Sequence, residues 1–201
     1  MLPHTCDVVT VIDNTEYTLR VAGSNYTIFN TKCNIIIFKK LYENATTLST
    51  LNFKVSVGNV VWNQCKDLLT DDESKTRLIY SSDIENNALT MKRYNNVAKK
   101  NFIQKKGINR PMIVINRGYG VGDYTFNYCL LDEKGDFLIE NHLICINNDT
   151  DLSRDELIDS YKKILLSLTD KRTIEFIKIY FGNNAINTTE LNHVLPIYQD
   201  I

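Results

Sequence analysis

Acidic side chains are missing from a long central stretch of this 201-residue chain: between Glu85 and Asp123 there is no aspartate or glutamate. Eight cations stand in that gap, namely Lys92, Arg93, Lys99, Lys100, Lys105, Lys106, Arg110 and Arg117. The chain carries 23 basic and 24 acidic residues in all, so removing those eight leaves 15 basic residues facing 24 acidic ones. A net charge of -1 therefore conceals a positive block set against a negative remainder. Such a block calls for an anionic partner.

Other shortages exclude whole classes. No apolar run approaches the roughly 18 residues that a membrane span needs; the longest, at residues 34–38, closes on Lys39 and Lys40. The opening residues Met1-Leu2-Pro3-His4-Thr5-Cys6-Asp7 have neither a basic region nor an apolar core, so no secretory signal is read there and an intracellular, soluble protein is expected. The five cysteines (Cys6, Cys33, Cys65, Cys129, Cys145) are odd in number and irregular in spacing, which predicts reduced, mostly buried thiols rather than a disulfide framework. Glycosylation at the sequons of Asn25, Asn44, Asn148 and Asn187 would need the secretory route. Glycine (8) and proline (3) are scarce, whereas asparagine and isoleucine are abundant, a bias that accompanies AT-rich genomes such as those of many viruses.

The first seventy residues read as short strands parted by polar turns: 7–12, 17–21 and 26–29, with hairpins between them. Residues 33–40, rich in β-branched side chains, predict a strand buried on both faces, and 51–57 alternates with period two. Residues 60–69 suit a short helix carrying Trp62, the single tryptophan, and 70–74 form the best turn signal. A strand is expected at 77–81. From 88 to 106, Met91, Tyr94, Ala98 and Phe102 recur at helical spacing, and all the cations there except Lys105 project away from that stripe, which predicts an amphipathic basic helix ended by Gly107 and Pro111. A buried strand at 112–115 and a hairpin of 124–131 with 137–146 follow. Ser153 with Glu156 three residues on is a capping box that starts a helix at 154–168, with Leu157, Tyr161, Ile164, Leu165 and Leu168 as its buried face. A strand at 173–181 and an irregular tail, with one turn near 189–193, complete the reading.

These elements make an α+β or mixed α/β protein, with a β-rich portion over 1–70 and an α/β portion over 71–201 in which a sheet packs with two helices, on one continuous core. The order from Met112 onward (strand, strand, strand, helix, strand) is the opening order of the ribonuclease H-like fold. Enzymes of that fold need converging carboxylates to hold two metal ions. Asn116 stands where the first acid would be, and of Asp123, Glu140 and Glu156 the last is occupied by capping, so no catalytic or metal site is assigned. The glycines of 117–123 precede a strand pattern rather than the helix that a phosphate loop requires. His142 with Cys145, and His4 with Cys6, lack zinc-ligand spacing, and positions 142 and 145 face opposite sides of a strand. No cofactor is expected.

The expected function is non-enzymatic binding, with the segment 86–122 engaging an anionic partner, nucleic acid first, through Lys92, Arg93, Lys99, Lys100, Lys106, Arg110 and Arg117, with Tyr119 offering a stacking face. A viral-type structural or matrix-like protein using the same cations on an anionic membrane, or self-assembling into an oligomer, is the alternative. An inactive ribonuclease H-like nuclease is the second.

Overall fold

The computed structural model describes residues 15–117, 127–132, 134–182 and 186–200. The chain is an α+β protein, as the pattern of elements predicts. The strand expected at 7–12 and the side chain of Tyr119 lie outside the described residues.

Strands β1 (Thr18–Arg20) and β2 (Thr27–Phe29) pair as an antiparallel hairpin. The next segment is helix α1 (Lys32–Leu41), where the sequence predicts a strand. The physical reason lies in its ends. Thr31 caps the first turn by accepting a hydrogen bond from the Asn34 amide, and Lys39 and Lys40 sit where the helix dipole is negative. Burial follows helical spacing: Ile35, Phe38 and Leu41 are in the core while Ile36 is half exposed. Strand β3 (Ala45–Thr46) and strand β4 (Lys54–Val57) follow, then two 3-10 turns at Trp62–Gln64 and Lys66–Leu68 in place of the single helix expected there.

Strands β5 (Leu69–Thr70), β6 (Thr76–Ile79), β7 (Ile84–Glu85), β8 (Ala88–Leu89) and β9 (Phe102–Ile103) come next. The predicted basic helix at 88–106 does not form. Asparagine decides this: Asn86 and Asn87 take left-handed backbone angles (φ 52° and 59°) that turn the chain from β7 into β8, and the Asn101 side chain donates to the Lys92 carbonyl at 3.0 Å. The stripe is also not a buried face, because Met91 is half exposed while Phe102 is a strand residue in the interior.

Strands β10 (Met112–Asn116), β11 (Tyr128–Leu131), β12 (Phe137–Ile139) and β13 (Leu143–Asn147) build the rest of two four-stranded sheets. Sheet one has the order β11-β10-β13-β4 and is antiparallel throughout. Sheet two has the order β12-β6-β9-β5, with β12 and β6 parallel. The predicted hairpin of 124–131 with 137–146 is thus replaced: β11 pairs with β10, and the second strand breaks at Glu140 so that its halves serve different sheets. Gly58 permits that crossing, because a Cβ there would lie 2.6 Å from the Ile139 carbonyl oxygen and closer still to that of Glu140.

Helix α2 (Arg154–Thr169) starts at the predicted capping box, with the Ser153 side chain accepting from the Glu156 amide and the Glu156 carboxylate accepting from the Ser153 amide at 2.8 Å. Helix α3 (Lys171–Tyr180) stands where a strand is predicted. Asp170 caps it, and Thr173, Phe176 and Ile177 are buried at helical rather than alternate spacing. The short helix α4 (Thr188–His193) matches the predicted turn, and β14 (Ile197–Tyr198) returns to pair with β3. The observed order after Met112 is four strands followed by helices, which departs from the ribonuclease H-like order at the divided strand and at α3.

Period-two alternation sorts the side chains into layers. Ile113, Ile115, Ile144 and Ile146 face the helices, where Phe38, Tyr161 and Phe176 pack. Met112, Val114, Leu143 and Cys145 face the other way and meet Ile79, Phe137 and Ile139 of sheet two. The central strands β10 and β13 of sheet one are therefore buried on both faces, which is why they read as unbroken apolar runs. The outer face of sheet two carries a third, smaller cluster of Val60, Leu78, Tyr80, Ile103 and Leu138, roofed by Trp62, Leu68, Leu69 and Tyr94.

Candidate nucleic-acid interface

The roof over sheet two is where Lys99, Lys100 and Lys105 of the central segment meet aromatic residues. Tyr80 leaves the end of β6 and enters a 3-10 turn that closes at Asp83, whose side chain is 1% exposed. One Asp83 carboxylate oxygen accepts from the Tyr80 amide at 3.0 Å, and the other accepts from the Tyr94 hydroxyl at 2.6 Å. The Tyr80 hydroxyl in turn donates to the Lys100 carbonyl at 2.8 Å. Both rings are thus fixed at their polar ends, and they meet edge to face with centroids 5.2 Å apart. The ammonium of Lys99 lies 4.0 Å from each ring centroid. Both contacts are within cation–π range.

Burial drives the electrostatics of this group. Desolvation lowers the Lys99 pKa, opposed by the negative charges of Asp83 and Glu140. Desolvation also raises both tyrosine hydroxyls, helped at Tyr94 by its bond to Asp83 and at Tyr80 by the Asp83 charge. Glu140, 2% exposed, sits at the break between β12 and β13 and accepts from the His142 amide at 3.0 Å, with the imidazole Nδ1 2.6 Å from its other oxygen. Among the described residues no group of histidine, cysteine and acidic side chains has the geometry of a metal site. The His142 ring goes to Glu140 rather than toward Cys145, whose thiol is pushed up to about 12 by burial.

The predicted site residues are brought together in part. Lys99 is clamped as described. Lys92 pairs with Glu85, and Lys100 with Asp71 at 2.5 Å. Arg93 and Lys106 are exposed. Arg110 turns to the carbonyl of Thr150, ahead of α2, and Arg117 is half-buried at the end of β10 on sheet one. Sequence reasoning misses Lys66, which lies over the Trp62 ring 5.9 Å from its centroid, and Lys105, whose ammonium reaches the Cys65 sulfur at 3.3 Å. It also misses Asp83. The signal available was Tyr80-Ser81-Ser82-Asp83, a tight turn closed by an acid three residues after its start.

No family model matches the chain. Its similarity lies elsewhere, with an enzyme. Type II methyltransferase M.CvrRI of Paramecium bursaria Chlorella virus XZ-6E is 26% identical over 221 aligned positions, which take in 96% of this chain and 55% of that protein. The chain therefore spans about half the length of the curated relative it matches. The similarity overturns the expectation of a non-enzymatic binder, since nearly all of the chain aligns within a methyltransferase. No helix among the described residues is long and apolar enough to cross a membrane.

Proposed function

We propose that this chain engages nucleic acid as the substrate-contacting part of a methyl-transfer enzyme, and that the roof of sheet two is its contact surface. The observation that carries this reading is the alignment of 96% of the chain with a methyltransferase. Supporting it, Lys66, Lys99, Lys100 and Lys105 share that roof with the partly exposed Trp62 and Tyr94, above the buried Tyr80. Cations supply the phosphate attraction and aromatic rings supply stacking faces. The pairs of Lys92 with Glu85 and Lys100 with Asp71 do not bar this role, because exposed ion pairs are worth about 0–1 kcal/mol and a phosphate competes with them readily.

In doubly wound folds a bound cofactor sits outside the carboxyl ends of parallel strands that alternate with helices. Sheet one is antiparallel and sheet two joins strands from four separate segments with β6 and β12 as its parallel pair. The described residues do not fit that arrangement, and no methyl-transfer step is assigned to them.

Fluorescence anisotropy of the chain with duplex DNA tests the reading. Log affinity should fall steeply with log salt, and replacing Lys66 and Lys105 together by alanine should flatten the slope by about 0.9 for each phosphate that is no longer neutralised. A chain that shows no salt-dependent DNA binding, or a variant with the wild-type slope, refutes the reading.

A further inference from the structure

The clamp on Lys99 differs in kind from the other cations of the roof. Lys66 and Lys105 each reach one neighbour, and Lys92 and Lys100 hold exposed carboxylates that solvent can replace. Lys99 instead rests on two rings, each ring is tied down by a hydrogen bond at its hydroxyl, and the acceptor of one of those bonds is the interior carboxylate Asp83. An unrestrained lysine gives up much of its rotamer entropy when it is fixed. A phosphate contact needs no such restraint, since the phosphate backbone attracts cations from many directions and carries no sequence information. A base edge is different. Its acceptors occupy fixed positions, and reading them requires a donor whose place is set before the nucleic acid arrives.

We propose that Lys99 is a specificity-determining residue, an ammonium pre-positioned by Tyr80 and Tyr94 to donate to the paired acceptors that guanine presents in the major groove. This rests on the nucleic-acid reading above and sharpens it. Tyr94 is a positioning residue: through its hydroxyl bond to Asp83 it holds the ring on which the ammonium sits. Lysine recognises the O6 and N7 acceptors of guanine, and one good pair of this kind discriminates by about 5- to 150-fold against the wrong base.

The test selects duplexes from a pool randomised over about ten base pairs, one turn of the helix, using the wild-type chain, Lys99→Met, Tyr94→Phe and the control Lys162→Met, whose ammonium pairs with Asp159 on helix α2. The wild type and the control should return the same motif, containing a G·C pair. Lys99→Met, which keeps an unbranched apolar stem against the rings, should lose the preference at that one pair and retain the others, a drop of about 5- to 150-fold in discrimination. Tyr94→Phe keeps the ring and the charge but frees the ring, so it should weaken the same preference without changing the salt slope, a readout that a merely structural role would not move. If Lys99→Met binds all duplexes more weakly by one factor and its salt slope flattens by about 0.9, Lys99 is a phosphate contact and the inference is overturned. A wild-type chain that binds duplexes without any preferred motif also overturns it, leaving the nucleic-acid reading intact; one that binds no duplex ends both.

Discussion

Removing the Asp83 carboxylate tests the architecture of the roof most directly. In Asp83→Ala the Tyr80 amide and the Tyr94 hydroxyl lose their acceptor, both in a site that is almost closed to solvent. Hydrogen bonds to a charged group contribute about 1.5–3 kcal/mol each, so two would amount to about 3–6 kcal/mol if nothing relaxed. Tyr94 is only half-buried and its hydroxyl also lies 3.4 Å from the Ser82 hydroxyl, so part of its share is recovered. The Tyr80 amide has no such escape. A net loss of about 3 kcal/mol is expected, which at a urea slope of about 2–3 kcal/mol per molar moves the unfolding midpoint down by about 1 M. Asp83→Asn retains one acceptor for the Tyr80 amide and can donate its NH2 to the Tyr94 oxygen, so it should cost about 1 kcal/mol. The assay is equilibrium urea unfolding followed by far-UV circular dichroism and by tryptophan fluorescence, since Trp62 belongs to the same roof. If Asp83→Ala unfolds within about 0.5 kcal/mol of wild type, as an ordinary surface substitution does, the carboxylate is not what holds the two tyrosines, and the preorganisation argued for Lys99 falls with it.

Three further outcomes are expected. Gly58→Ala drives a Cβ against the Ile139 and Glu140 carbonyls, backbone atoms that cannot yield like a flexible side chain, and should destabilise by at least the roughly 1–3 kcal/mol typical of overpacking, read by thermal unfolding. Ser153→Ala removes one half of the α2 capping box and should cost about 0.5–2 kcal/mol, with Glu156→Gln milder because the amide oxygen still accepts from the Ser153 amide. In alkali, burial holds Tyr161 and Tyr180 up at about 12 and raises Tyr42, Tyr80, Tyr94 and Tyr198 as well. Their folded values exceed the unfolded value of about 10, so the stability they contribute is complete below about pH 10 and is lost as pH rises through the folded values. Tyrosinate absorbance from these six should thus appear with unfolding above about pH 10, and a simple titration centred there for all tyrosines would contradict their burial.

Much of this fold is legible from residue order, and the errors share a cause. Helix α2 is readable because Ser153 and Glu156 state its start and Leu157, Tyr161, Ile164 and Leu168 repeat its period. Strand β10 is readable as a buried apolar run. Residues 33–40 and 173–181 mislead because isoleucine and phenylalanine satisfy either period over a short run, and the deciding signals were the caps Thr31 and Asp170 just outside them. The segment 88–106 misleads in the opposite sense: Tyr94 and Phe102 fall on a helical stripe by number, yet each packs in a different place, one in the roof and one in a strand.

Local order alone settled what depends on neighbours along the chain: the capping box, the apolar run of β10, and the excess of positive charge between Glu85 and Asp123. Tertiary structure alone decided what depends on residues far apart. It divided residues 137–147 between two sheets, placed Asp83 under both tyrosines, and set Lys99 apart from seven other cations that look equivalent in sequence. The physical reason is that a charge is specified by composition, whereas its direction and desolvation are specified by what packs against it, and those partners are chosen only when the sheets close.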